Sequence, residues 1–157
     1  MTITPGKIVL PGEVEPVRWT VESGRFLLRG TDTGGLFSLM EFITPPDGGP
    51  PLHLHENEDE TFVVTSGAYE FRLGDKRYEA GVGTVVYGPR GTSHAFRNIA
   101  GTTSTLLCFA TPGGAELMFE ELIELREREP RLGWQDILAL ATKHRISYPE
   151  GPPPGRG

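Results

Sequence analysis

Two histidines one residue apart, His53 and His55, are followed five positions after the second by Glu60, within Pro50-Pro51-Leu52-His53-Leu54-His55-Glu56-Asn57-Glu58-Asp59-Glu60-Thr61-Phe62-Val63-Val64-Thr65-Ser66-Gly67. Side chains alternate faces along an extended strand, so His53 and His55 point the same way. A carboxylate arriving from the next strand can meet both imidazoles at one point. Further on, His94 lies in Gly83-Thr84-Val85-Val86-Tyr87-Gly88-Pro89-Arg90-Gly91-Thr92-Ser93-His94-Ala95-Phe96-Arg97-Asn98, so three of the four histidines occupy strand-and-turn contexts around one candidate site. Three neutral imidazoles and a carboxylate suit one divalent transition metal (Fe, Ni, Mn, Zn, Co or Cu) with coordination positions left for water, oxygen or substrate. A His-x-His on a strand is, taken alone, more often structural or superficial. The metal reading therefore depends on a barrel that brings His94 to the other ligands.

The chain has the pattern of such a barrel. Arg25 to Arg29 and Leu36 to Ile43 read as strands around the turn Thr31-Asp32-Thr33-Gly34-Gly35. Pro45-Pro46-Asp47-Gly48-Gly49-Pro50-Pro51 forbids regular pairing and must be a loop that delivers the chain to His53. Tyr69, Phe71 and Leu73 share one face of a half-buried strand, with Glu70 and Arg72 opposite. Strands follow at Arg77 to Ala80, Gly83 to Tyr87, Ser93 to Asn98 and Thr103 to Ala110. Roughly ten short strands at regular spacing predict a sandwich or barrel. The period then changes: Met118, Leu122 and Leu125 with Phe119 and Ile123 predict an amphipathic helix. Pro130 and Gly133 break it, and a second helix carries Trp134, Ile137, Leu138 and Ala141. Both helices are expected to pack outside the barrel or over its mouth, with His144 partly packed.

The expected organisation is one domain over residues 1–157: an N-terminal arm 1–20 with a short strand at Ile8-Val9-Leu10, a barrel 21–111, helices within 112–148, and an extended or mobile tail 149–157. With 21 glycines and 14 prolines, the chain is built for short elements joined by turns. A net charge of −6 gives no electrostatic reason to expect nucleic acid. No apolar run reaches the ~20 residues that cross a bilayer, and the N-terminus lacks the pattern of a signal peptide. A cytoplasmic protein is the expectation. The single cysteine, Cys108, excludes an internal disulfide and is expected to be a small buried hydrophobe. Glu56, Glu58 and Asp59 are expected to form a solvated rim.

The two motifs together resemble those of the cupin superfamily. His53, His55, Glu60 and Gly67 match the first cupin motif, and Gly83, Pro89, Gly91, His94 and Asn98 match the second in full. Gly48 departs from the pattern by one residue, in a loop that tolerates such shifts. Thr31 to Gly35, Leu39-x-Glu41, the Pro-rich entry to the histidines and Thr111-Pro112-Gly113-Gly114-Ala115-Glu116 are similar to single-domain cupins of the quercetin 2,3-dioxygenase-like type.

That resemblance implies an all-β fold, a double-stranded β-helix (jelly-roll) barrel with two C-terminal α-helices, assembled as a homodimer. It implies His53, His55, Glu60 and His94 as metal ligands, and a dioxygenase acting on a small enolic or phenolic, flavonol-like substrate. Glu60 would then serve as catalytic base. If Glu60 and His94 face inward, so do Phe62, Val64 and Phe96, and Met40 or Phe42 completes an apolar pocket lining. Two other readings share the ligand set: a non-catalytic metal-containing barrel that binds or senses a small molecule, and a decarboxylase or isomerase.

Overall fold

The computed structural model describes residues 5–129 and 131–152. The element order is β1 (Val17–Arg18), β2 (Ser23–Leu28), a 3-10 turn (Gly30–Thr33), β3 (Ser38–Thr44), β4 (Leu54–His55), β5 (Asp59–Ser66), β6 (Ala68–Leu73), β7 (Lys76–Gly81), β8 (Val85–Gly88), β9 (His94–Asn98), β10 (Ser104–Thr111), α1 (Glu116–Arg128), α2 (Trp134–Lys143) and β11 (Ile146–Ser147). All named strand pairs are antiparallel. One sheet has six strands in the order β1-β2-β3-β10-β5-β8, a second has three in the order β7-β6-β9, and β11 pairs with β4. The histidine strand β4 is joined to β9 by a bridge in which the His53 N–H donates to His94 O at 3.0 Å and the His94 N–H to His53 O at 2.8 Å.

Strict alternation puts the apolar side chains of these strands into one core. On β3 the buried set is Ser38, Met40, Phe42 and Thr44, and on β10 it is Ser104, Leu106, Cys108 and Ala110. Their pairing sets Met40 opposite Cys108 and Phe42 opposite Leu106. From the facing layer, Phe71 packs tilted and Phe96 edge-on against Phe62, at centroid distances of 5.5 and 5.8 Å.

The motif residues that carry no donor for a metal have structural work. Gly67 has φ +72°, and a Cβ there would lie 1.8 Å from Ser104 Oγ, so no other residue fits the corner between β5 and β6. Asn98 is fully buried and satisfied on both sides of its amide. Its Nδ2 donates to Thr44 O and Thr102 O at 2.8 and 2.9 Å, and its Oδ1 accepts from the Ala100 N–H and the Ser104 hydroxyl at 2.8 and 2.9 Å. It thereby pins β3, β9 and the start of β10 together.

The sequence expectation fails at both ends of the chain. Ile8-Val9-Leu10 is not a strand, and Ile8 and Leu10 are exposed. The N-terminal pairing is made by β1, whose two residues are too few to show a period. β11 was equally invisible, yet it sets Ile146 opposite His55 and Ser147 opposite Leu54. This carries the C-terminal helices over the barrel mouth. The tail is held at its start, where Arg72 Nη1 and Nη2 donate to the two carboxylate oxygens of Glu150 at 3.0 and 2.9 Å. Residues 1–4, Pro130 and 153–157 lie outside the described residues. No helix among the described residues is long and apolar enough to cross a membrane.

Candidate metal centre

His53, just before β4 and bridged to β9, His55 of β4, Glu60 of β5 and His94 of β9 converge, and one ligand atom from each of the four lies within 4.8 Å of all the others. Glu60 Oε2 is the hub, 2.7 Å from His94 Nε2 and 3.2 Å from His55 Nε2. The imidazoles are close-set, with His53 ring centroids 5.1 Å from His55 and 4.5 Å from His94. His55, Glu60 and His94 are buried, and His53 is partly so.

Each imidazole is oriented through its outer nitrogen. His53 Nδ1 lies 2.9 Å from Pro51 O and His94 Nδ1 lies 3.2 Å from Thr92 O. A carbonyl oxygen only accepts, so both Nδ1 atoms carry a proton and each Nε2 is the atom turned into the cluster, where a bound metal would take its lone pair. His55 Nδ1 sits 3.3 Å from Glu58 Oε2 and does the same through a carboxylate. Three imidazole lone pairs and a carboxylate converging on one point fit a divalent transition metal.

The electrostatics of the four side chains themselves hold His53 neutral and Glu60 ionised, and draw His55 toward its protonated form, whose proton a metal would have to displace. Burial, reinforced by the neighbouring His94 and His55, pulls His53 down to about 3, so it stays neutral and able to ligate. Burial also penalises a charged His55, but the Glu60 and Glu58 carboxylates outweigh it and raise its pKa. For Glu60, burial opposes the ionised form, yet the imidazoles of His55, His94 and His53 overcome it and hold the carboxyl well below its usual range.

Sequence reasoning missed two partners of the cluster. Glu58, expected on a solvated rim with Glu56 and Asp59, turns inward to His55, and its side chain is only 13% exposed. Its i+3 spacing from His55 was the available signal. Asp59 clamps the turn before His94, accepting from the Arg90 N–H at 2.8 Å and from Arg90 Nε at 3.0 Å. Only Glu56 is the exposed rim residue expected. Cys108 is fully buried as expected, but it is more than packing: its Sγ lies 3.4 Å from Glu60 Oε1, holding that oxygen so that Oε2 faces the histidines. Burial, then the Glu60 charge, pushes the thiol pKa up and keeps it a donor. Glu58→Ala is expected to weaken metal affinity about 10- to 100-fold, the usual effect of losing an outer partner of a ligating histidine. Competition with a chromogenic chelator measures this, and an unchanged affinity would remove Glu58 from the site.

Above the cluster, Phe42, Phe62 and Phe96 line a cavity of about 70 Å³ with His53, His55 and Glu60. Met40 and Val64, expected in this lining, are instead sealed in the core. They share a face with Phe42 and Phe62 but sit two residues away along their strands, beyond the cavity. The other walls come from elements with no motif: Met118 and Phe119 of α1, Ile146 of β11, and Tyr148, whose ring centroid is 6.1 Å from that of His53.

A two-layer β barrel holding three histidines and a glutamate at its centre defines a class, and sequence and structural comparisons agree on it. Residues 40–110 match the cupin domain family. The chain is similar to the quercetin 2,3-dioxygenase of Bacillus subtilis (strain 168), at 29% identity over 86 residues, which is 55% of this chain and 26% of that protein. The match thus spans about a quarter of the length of that relative. The polyketide cyclase RemF from Streptomyces resistomycificus is 30% identical, with 68% of this chain and 80% of RemF covered at a TM-score of 0.60. KdgF from Halomonas sp. superposes at a TM-score of 0.66 over 72% of this chain and 99% of that one, and at 15% identity shows the fold alone. The chain belongs to the cupin superfamily and has its double-stranded β-helix fold.

Proposed function

We propose that the protein is a metal-dependent cupin oxygenase that acts on a small enolic or phenolic substrate, with the metal held by His53, His55, Glu60 and His94. The observation that carries this is the convergence of four ligand atoms within 4.8 Å, each imidazole fixed from behind, at the floor of an aromatic-walled cavity. A transition metal bound there would supply Lewis-acid polarisation of an oxygen ligand and access to dioxygen chemistry.

The chain's own residues supply the remainder. Glu60 is ionised at neutral pH, and where its Oε2 is not engaged by a metal it would accept the proton of the substrate hydroxyl there, leaving an enolate or phenolate. The new negative charge beside the carboxylate raises its affinity for that proton, offsetting the pull of the imidazoles. Cys108 keeps Oε1 occupied, so the proton has one address. Phe42, Phe62 and Phe96 exclude bulk water and strengthen every charge interaction in the cavity. Likeness to quercetin 2,3-dioxygenase supports the oxygen chemistry, and likeness to the polyketide cyclase RemF favours a second reading, ring closure rather than oxygenation on the same site.

Oxygen-electrode measurements with a panel of flavonols and diketones, after reconstitution with Fe, Ni, Mn or Co, separate the two. Metal-dependent uptake, lost in Glu60→Gln, is the expected result. Substrate conversion with no uptake would establish the second reading, and neither conversion nor uptake under any metal would leave a binding or sensing barrel.

A further inference from the structure

A metal on the cluster would leave Glu60 little capacity for a proton. Its Oε2 is the oxygen that faces His94 and His55, and Cys108 Sγ stands 3.4 Å from its Oε1. A hydroxyl deprotonated at the cluster then needs a second acceptor. Five residues lining the cavity carry exchangeable protons: His53, His55, Glu60, Tyr148 and Glu22. The first three belong to the cluster. Burial pushes the Tyr148 phenol up to about 12, so it keeps its proton throughout the neutral range. Glu22 is left, 5% exposed and no part of the cluster.

The fold fixes Glu22 in a tight turn just before β2. The Trp19 N–H donates to Glu22 O at 3.2 Å and the Glu22 N–H to Thr20 Oγ1 at 3.3 Å. The side chain reaches into the barrel, where Oε1 accepts from the Thr44 hydroxyl at 3.0 Å, on the inward face of β3 two residues past Phe42. The inner cavity, at about 70 Å³, holds about two waters at ~30 Å³ each, so at most a short water bridge separates Glu22 from the cluster. Glu22 also lines a second cavity of about 380 Å³, which has the exposed Gly133 on its rim. Pro50, Met118, Phe119 and Tyr148 line both cavities as well, and Glu22 is the carboxylate of that shared wall.

We propose that Glu22 is a proton relay, whose carboxylate takes the proton of a hydroxyl held at the metal cluster and passes it to water in the outer cavity. The hydroxyl O–H bond breaks and its electron pair stays on that oxygen. An O–H bond forms on Glu22, and the carboxyl then gives the same proton to outer water. This rests on the enol or phenol chemistry proposed above and adds where the proton goes once Glu60 is committed as a ligand. A Glu22 that only held Thr44 would need an acceptor oxygen there, and not a group that can take up a proton.

Stopped-flow mixing of the full-length, cobalt-loaded protein with maltol under anaerobic conditions tests this. Maltol is a small hydroxypyranone whose absorbance shifts when its enolic proton leaves. Glu22→Gln keeps the size of the side chain and an acceptor oxygen for Thr44 but cannot carry the proton. It is expected to form the enolate about 100-fold more slowly, within the usual contribution of a positioned base, with cobalt content and final enolate absorbance unchanged, since a relay alters a rate and not an equilibrium. Glu22→Ala opens a space onto the outer cavity, and added formate is expected to restore the rate in that variant but not in Glu22→Gln, whose amide fills the space. An unchanged rate in Glu22→Gln, cobalt lost from it, no gain from formate in Glu22→Ala, or no enolate with the wild type would each overturn the inference. Oxygen uptake with the flavonol panel is a separate readout. Enolate formation slowed in Glu22→Gln, with no uptake by the wild type, would overturn the oxygenase reading alone. Wild-type uptake, with Glu22→Gln forming enolate at full speed, would overturn this inference alone.

Discussion

His94→Ala is expected to purify with almost no transition metal, where the wild type carries about one ion per chain. Losing a mere outer partner of a ligand costs about 10- to 100-fold in metal affinity, and losing a ligand outright costs more. His94 is also the ligand with fewest substitutes. Its Nε2 lies 2.7 Å from Glu60 Oε2, its Nδ1 is tied to Thr92 O, and its backbone is paired to His53, so its ring is fixed in the cluster. The cavity left by the ring would also strip Glu60 of one of the imidazoles that keep it ionised. Elemental analysis of the folded variant measures the outcome, with circular dichroism as the check on folding. His144→Ala is the matched control: His144 Nε2 lies 3.2 Å from Glu121 Oε1, outside the cluster, and its removal is expected to leave metal untouched. Stoichiometric metal in His94→Ala would overturn the four-ligand site.

What the sequence revealed of this centre follows the range of the interactions involved. His53, His55 and Glu60 were legible because strand alternation and turn glycines act over a few residues, and the face of each side chain follows from them. His94 was legible because its own turn, Pro89 to Gly91, is equally local. Face is all that alternation fixes. Met40 and Val64 have the correct parity, yet depth along the barrel depends on the register of β3 against β10 and of β10 against β5, which is a long-range property.

The mouth of the barrel was the least legible part, for a related reason. Ile146 and Tyr148 reach the metal residues through a strand of two residues, with no period of its own, that pairs with β4 from about 90 positions away. Cys108 looked like a core residue and is one. Its contact with Glu60 is a second property that composition could not separate from the first. The polar groups that fix ligands and lid are thus the ones whose partners lie far off in sequence.

Glu116→Ala is expected to destabilise the protein by about 3 kcal/mol, and to lower the melting temperature by roughly 6–12 °C for a chain of this size. The carboxylate is 2% exposed and serves three donors at once. Oε1 accepts from the Gly30 N–H at 2.7 Å, and Oε2 accepts from the Gly114 N–H at 3.1 Å and, over a short contact, from the Ser38 hydroxyl. Alanine leaves these groups without their acceptor, at about 1–3 kcal/mol for each that stays buried. Gly114 and Ser38 soften the loss, since the Gly114 N–H also donates to Ser38 Oγ at 2.9 Å. No other side chain can be brought closer, because the backbones themselves touch: a Cβ on Gly113 would lie 2.7 Å from Gly30 Cα. Glu116 opens α1, and two and three residues later come Met118 and Phe119, which wall the cavity over the metal residues. The same three hydrogen bonds that stabilise the fold therefore set where the lid stands over the metal residues. Glu116→Gln, which keeps one acceptor oxygen, is expected to lose about half as much. Thermal unfolding followed by circular dichroism reads both variants, and a shift below about 2 °C for alanine would show that α1 is anchored by its ion pair with Arg29 and by Arg126 instead.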